Sequence, residues 1–249
     1  MSGCKVFILH LERARQRRSQ VEALCAALPM PAEILPAIDG GALSGSEISE
    51  VYVRQLHAPR FYFKLNRAEI GAFLSHRAAW RRIVEEGLDY AIVFEDDASI
   101  DPALFARACA FARATRNQWD YVLAPAMKRA DAGRCPSRRR VALRHPSAPP
   151  LRALAQFVSN AAARRLLAVT ERFDRPIDTF LQMSWVTGVE LLTFRPSGAF
   201  DESGALGGST IQRPSKSFWE KLCREVCRPI YRAQVRFYHL FARRPPWGG

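Results

Sequence analysis

A short apolar run at 90–94 (Tyr90, Ala91, Ile92, Val93, Phe94) leads straight into three consecutive carboxylates, Glu95, Asp96 and Asp97. A run this short and this rich in β-branched and aromatic side chains reads as a strand buried on both faces. The acids then sit at the strand's carboxyl end, where like charges must be solvated or paired. Just upstream, 66–86 reads as a helix. Asn66 is placed to cap it, Glu69 stands at capping-box spacing, and Gly87 provides the stop. Ile70, Phe73, Leu74, Trp80, Ile83 and Val84 form its apolar stripe.

The chain opens with the same pattern. The segment 5–11 reads as a strand, 13–28 as a helix ended by Pro29 and Pro31, and 33–38 as a second strand closed by Asp39-Gly40-Gly41. A βαβ opening builds a parallel sheet, with ligand sites at the carboxyl ends of its strands. Further strands are expected at 120–123, 154–158 and 189–194, and a helix at 160–171 behind Ser159 or Asn160. The basic stretch 128–150 reads as a surface loop, and the Gly/Ser-rich stretch 198–212 as a loop over the site. The fold class is therefore α/β.

With 249 residues, 48% of them hydrophobic, the chain can bury a sizeable core. Its formal net charge of +13 favours acidic partners: nucleic acid, an anionic membrane or a phosphorylated substrate. Nucleic acid fits poorly, because the basic residues are spread over several segments with no helix-turn-helix, RNP or zinc pattern. The six cysteines (Cys4, Cys25, Cys109, Cys135, Cys223, Cys227) form no CxxC pair, and they read as reduced thiols of a cytosolic protein. No apolar run is long enough to span a bilayer, and the first residues lack a signal-peptide pattern.

The division expected is an α/β domain over 1–212 and a basic amphipathic segment over 213–249. In the latter, Phe218, Leu222, Val226, Ile230, Val235, Tyr238 and Phe241 recur at roughly helical spacing with Lys221, Arg224, Arg228, Arg232 and Arg236 between them. Pro229 should kink or split this helix. It either packs on the domain or lies on an anionic membrane surface, and the sequence favours the membrane.

A divalent cation, Mn²⁺ or Mg²⁺, relieves the repulsion within Glu95-Asp96-Asp97 and can hold a diphosphate leaving group. The bland alternative is a solvated turn, or a cap in which Asp97 or Ser99 starts a helix at 102.

The block Glu69-Ile70-Gly71-Ala72-Phe73-Leu74-Ser75-His76-Arg77, followed by Trp80, Ile83-Val84 and Ala91-Ile92-Val93-Phe94-Glu95-Asp96-Asp97, closely resembles glycosyltransferase family 25. That family includes lipooligosaccharide and collagen galactosyltransferases. Val6-Phe7-Ile8-Leu9-His10-Leu11-Glu12-Arg13 resembles its first strand, with His10 where that strand has Asn. Ala37-Ile38-Asp39-Gly40 resembles its A-V-D-G turn, and Pro176-Ile177-Asp178 its later P-I-D element. Weaker likenesses continue to Ser209-Thr210-Ile211, so the resemblance runs from about 4 to about 212.

The resemblance implies a GT-A-like fold (a Rossmann-like mixed sheet flanked by helices), a UDP-sugar donor, a divalent metal and inversion at the anomeric carbon. It implies Asp97 as the metal ligand, with Glu95 or Asp96 on ribose or acting through water. Asp178 is the expected general base, against a helix-cap reading, and Glu190 is the runner-up. Arg13, Asp39, Ser75 and His76 are candidates for donor or acceptor contacts; for each, a structural role is the alternative. The arginines Arg13, Arg15, Arg17 and Arg18 otherwise read as a solvated helix start. The function expected is transfer of galactose from UDP-galactose to a lipooligosaccharide or lipopolysaccharide sugar, a glycolipid acceptor, at the cytoplasmic face of the bacterial inner membrane. A non-catalytic relative and a basic nucleic-acid-binding α/β protein are the rivals.

Overall fold

The computed structural model describes residues 3–129, 140–146, 150–204 and 218–241, with the backbone alone for 218–226. The expected thiols Cys135 and Cys223 and the Ser209-Thr210-Ile211 likeness lie outside what can be described, and Cys4, Cys25 and Cys109 are free thiols.

The opening βαβ unit is β1 (Cys4–His10), α1 (Arg18–Ala27) and β2 (Ala32–Pro36). Then come α2 (Gly45–Val51), α3 (Arg67–Glu85), β3 (Tyr90–Glu95), β4 (Ala98–Ile100), α4 (Pro102–Ala114) and β5 (Tyr121–Leu123). The second half adds β6 (Ala142–Arg144), β7 (Ala155–Ser159), α5 (Asn160–Val169), α6 (Ile177–Leu181), α7 (Ser184–Thr187), β8 (Leu191–Arg195), β9 (Ala199–Asp201) and α8 (Phe218–Phe241).

Seven strands form one mixed sheet in the order β2-β1-β3-β7-β5-β8-β6. The pairs β1–β2, β1–β3 and β5–β8 are parallel, and β7 and β6 run against their neighbours. Five strands thus point one way, and helices cover both faces, which is the GT-A-like α/β architecture. The alternation along the strands divides the core. Phe7, Leu9, Ala91 and Val93 face α3 and α5, while Val6, Ile8, Ile92 and Phe94 face α1 and α4. On the α3 side, Phe73 stacks on Phe173 at 3.8 Å between ring centroids and meets Phe180 edge-on.

The capping box of α3 is complete. The Asn66 side chain accepts from the Glu69 N–H, and the Glu69 carboxylate accepts from the Asn66 N–H. Several local expectations fail for identifiable reasons. Ala98–Ile100 is a strand paired with Ala199–Asp201, so neither Asp97 nor Ser99 caps α4. Asp101 caps it instead, accepting from the Leu104 N–H at 2.9 Å, with Pro102 in the first turn. The basic stretch contains an edge strand, Ala142–Arg144, and the expected loop at 198–212 begins as β9. Pro229 neither splits nor ends α8. It lies on the helix's exposed side.

One face of α8 packs on the domain through Tyr231 and Val235, both buried. The Tyr231 hydroxyl accepts from Arg175 Nη1 at 2.8 Å. Arg175 is fully buried and ion-paired with Asp174, and it also donates to the carbonyls of His57 and Pro59. Asp174 in turn accepts from the Leu56 and His57 N–H groups. This satisfied buried pair fastens α8 and the 56–59 segment to the start of α6.

Candidate active site

The carboxyl ends of β2, β1 and β3 lie side by side, with His10 opposite Pro36 and Leu9 opposite Glu95. A cleft opens there, at the edge where open α/β sheets bind ligands. Arg13, Asp39, Ser75, His76, Glu95, Asp96 and Asp97 all line it, so seven of the expected site residues share one wall system. Asp178 and Glu190 do not line it.

The sheet edge and the helix meet closely because of two glycines. A Cβ on Gly40 would fall 1.7 Å from the Arg67 carbonyl oxygen, and one on Gly71 would fall 2.5 Å from that of Ile38. The 38–41 turn therefore lies directly against the first turns of α3. Ser75 bolts this contact: its hydroxyl donates to the Gly71 carbonyl at 2.7 Å and accepts from the Ile38 N–H at 2.8 Å. Asp39 accepts from the Gly41 N–H at 2.9 Å, an Asx-turn, and pairs with Arg13 at 2.6 Å. The Gly41 hydrogen bond, then the pairing with Arg13, holds the Asp39 carboxyl below the usual carboxylate range.

The three acids at the end of β3 have different surroundings. Glu95 receives His76 Nε2 at 3.3 Å. The other ring nitrogen of His76 lies 3.2 Å from Gln156 Nε2, whose amide also donates to the Ala153 carbonyl, while Gln156 Oε1 accepts from Tyr121. That network fixes the ring of His76 so that Nε2 is aimed at Glu95. Asp96 is paired with Arg17 on one oxygen and lies 3.2 Å from His10 Nδ1 on the other. Asp97 has only a 3.4 Å approach from Arg17 on Oδ2, and its Oδ1 is buried with no hydrogen-bond partner. Burial, then the nearby Glu95 charge, pushes the Asp97 carboxyl up to about 6, against the lowering effect of Arg17.

Glu95 and Asp96 are thus each engaged by the protein, and Asp97, also in the cleft lining, keeps a buried oxygen with no hydrogen-bond partner. Among the described residues no group of three or more His, Cys, Asp or Glu side chains is arranged to hold a metal ion. Mg²⁺-like ions at phosphate sites are held by one or two carboxylates, with phosphate and water completing the shell. Asp97, with its orphaned oxygen, fits that pattern, and Asp96 is already occupied by Arg17.

Arg17 is the functional-site residue that local sequence reading places wrongly. Read as part of a solvated helix start, it is 4% exposed and sits between Asp96 and Asp97. Its partners lie about eighty positions away, so only the fold brings them together.

Asp178 stands in the first turn of α6 and binds its own neighbour: Oδ1 accepts from the Thr179 N–H at 2.7 Å. Oδ2 accepts from the Arg152 N–H at 3.3 Å. Arg152 adopts φ 82°, the left-handed region, and its guanidinium pairs with Asp201. Burial raises the Asp178 carboxyl above the usual range against these hydrogen bonds, and Glu95 is near enough for its charge to add to the rise. Glu190 lies apart on an exposed edge, 3.0 Å from His145.

The sequence matches the family described as glycosyltransferase family 25 (LPS biosynthesis protein) over residues 4–131. A glycosyltransferase 25 family member of Drosophila pseudoobscura pseudoobscura is 32% identical over 121 residues, covering 47% of this chain and 19% of that protein. Human procollagen galactosyltransferase 2 is 30% identical over 96 residues, 37% of this chain and 15% of its own length. A mouse protein named inactive glycosyltransferase 25 family member 3 is 33% identical over 96 residues, 37% of this chain and 16% of its length. The chain therefore spans a fifth or less of the length of these relatives. It belongs to glycosyltransferase family 25, and the matched region contains β1, α3 and the whole acidic tip.

Proposed function

We propose that this glycosyltransferase moves galactose from UDP-galactose, with inversion, onto a sugar hydroxyl of a lipooligosaccharide or lipopolysaccharide acceptor. The observation that carries the reading is the acidic tip. Glu95 is held by His76 and Asp96 by Arg17, while Asp97 keeps a buried, unbonded oxygen beside the cleft. Asp97 is the residue that would hold Mn²⁺ or Mg²⁺. When bound, such a cation neutralises the diphosphate as it leaves. Relatives named procollagen galactosyltransferase support galactose as the sugar, and the family's description supports a lipopolysaccharide acceptor.

In the transfer the acceptor oxygen bonds to the anomeric carbon as the bond from that carbon to the UDP oxygen breaks, and UDP takes the electron pair. Asp178 takes the hydroxyl proton. Its raised carboxyl suits a base that must be a stronger proton acceptor than an ordinary aspartate. Arg17 keeps Asp96 and Asp97 from repelling each other, and His76 orients Glu95.

The test is a donor screen on the full chain. Nucleotide release from UDP-galactose, UDP-glucose, GDP-mannose and CMP-sialic acid is measured with lipooligosaccharide as acceptor, in Mn²⁺, Mg²⁺ or EDTA. We expect UDP-galactose to be used best and EDTA to stop release. Preference for another nucleotide overturns the donor; full activity in EDTA overturns the metal. The inactive mouse relative motivates a second, non-catalytic reading, which release from no donor would favour.

A further inference from the structure

The outer face of α8 is unusual for a surface helix. Among the described residues, six large apolar side chains are exposed, and four of them, Ile230, Phe237, Leu240 and Phe241, lie on this helix. At helical spacing these four and the exposed Ala233 fall within an arc of about 100°. The arc points away from Tyr231 and Val235, which are buried against the domain. Phe237 and Phe241 touch each other at 4.8 Å between centroids, so the stripe is continuous.

Exposed Arg236 and Arg232 lie beside one edge of that stripe, about 40° and 80° beyond Leu240, and no Asp or Glu occurs from 227 to 241. An apolar stripe bordered only by positive charge matches the boundary between acyl chains and anionic headgroups. It matches a second copy of this chain poorly, because a two-fold contact through the stripe would gather four arginines without a counter-charge. No helix among the described residues is long and apolar enough to cross a membrane, so the helix would lie in the surface plane.

We propose that α8 docks the protein flat on an anionic bilayer surface through Ile230, Phe237, Leu240 and Phe241, with Arg232 and Arg236 on the headgroups. The helix is joined to the domain at that edge through the buried Tyr231 and Val235. Tyr231 on its inner face binds Arg175, three residues before Asp178. Docking therefore presents the Asp178 edge of the domain towards the surface.

The experiment is flotation of the full-length protein with phosphatidylcholine vesicles containing phosphatidylglycerol, and with phosphatidylcholine alone. Neither vesicle contains donor or acceptor, so the outcome is independent of the proposed reaction. The wild type floats with the anionic vesicles, and less so as salt rises. Each basic residue at an anionic surface raises partitioning about fivefold, so R232Q/R236Q lowers it about 25-fold. F237S/L240S lowers it about tenfold or more through lost apolar insertion. Both pairs are exposed, so melting temperatures should match the wild type, which separates lost docking from lost folding. A wild type that stays unbound overturns the proposal, as does F237S/L240S floating like the wild type. A dimer in light scattering that F237S/L240S converts to monomer, without vesicle binding, assigns the face to a second copy instead.

Discussion

Asp97→Asn should stabilise the protein while removing its activity. The Asp97 carboxyl is raised from 3.8 to about 6, because it is buried beside Glu95 with one oxygen unbonded. A rise of that size corresponds to about 3 kcal/mol of folded-state strain at neutral pH, as a ceiling. The pull of Arg17, 3.4 Å from the other oxygen, is already contained in that rise. With solvent screening and relaxation taken off the ceiling, a gain of about 1–2 kcal/mol is expected, and in a domain of this size each 1 kcal/mol moves the melting temperature by about 2–4 °C. The sign follows from proton linkage. The folded state holds this proton more tightly than the unfolded chain, so the wild type loses stability as pH rises from about 4 through 6. The advantage of the variant should therefore be full at pH 7 and vanish towards pH 4. Calorimetry at both pH values measures it, with and without Mn²⁺ and UDP. Ligand present at a hundred times its Kd adds about 2.7 kcal/mol to a protein that binds it, so the wild type should respond to the pair and the variant should not. A variant less stable than the wild type at pH 7, or one equally stabilised by Mn²⁺ and UDP, would refute the reasoning.

Asp178→Asn should slow transfer by ~10²–10⁴ and leave UDP titration with Mn²⁺ unchanged; weakened binding would move this residue to the donor site. Arg17→Gln leaves Asp96 and Asp97 uncompensated in a buried setting, a loss of about 3–5 kcal/mol that urea unfolding would record. Unchanged stability would show that Arg17 does not carry that charge balance. Gly71→Ala puts a Cβ 2.5 Å from the Ile38 carbonyl and should cost about 1–3 kcal/mol as the 38–41 turn is pushed off α3. A variant as stable as the wild type, with unaltered UDP affinity, would mean that this close approach is not needed.

Local sequence specifies structure where one chain segment carries the whole signal. The capping box at Asn66 and Glu69, the stripe of α3 and the continuous apolar run of β3 are each written within a few residues. Short strands were harder: β4 and β9 have three residues each and exist only because they pair with each other across a hundred positions. The basic stretch concealed β6 because it lies at the sheet edge, where its side chains stay partly exposed. Charge balance was the least legible property. Nothing near Arg17 distinguishes it from Arg15 or Arg18, and its burial depends on Asp96, which the fold brings from the next parallel strand. The same holds for Ser75, whose hydroxyl turns out to join the 38–41 turn to α3.

The proposed transfer requires the cleft at the end of β1 and β3 to be a donor site with Asp97 at its centre. Mass spectrometry of a lipooligosaccharide acceptor, incubated with the full chain, UDP-galactose and Mn²⁺, tests this directly. The account predicts that the acceptor gains one hexose, that UDP appears in equal amount, and that Asp97→Asn, folded and no less stable, yields neither. Undiminished transfer by Asp97→Asn, or no hexose gained from any nucleotide sugar by the folded wild type, would contradict it.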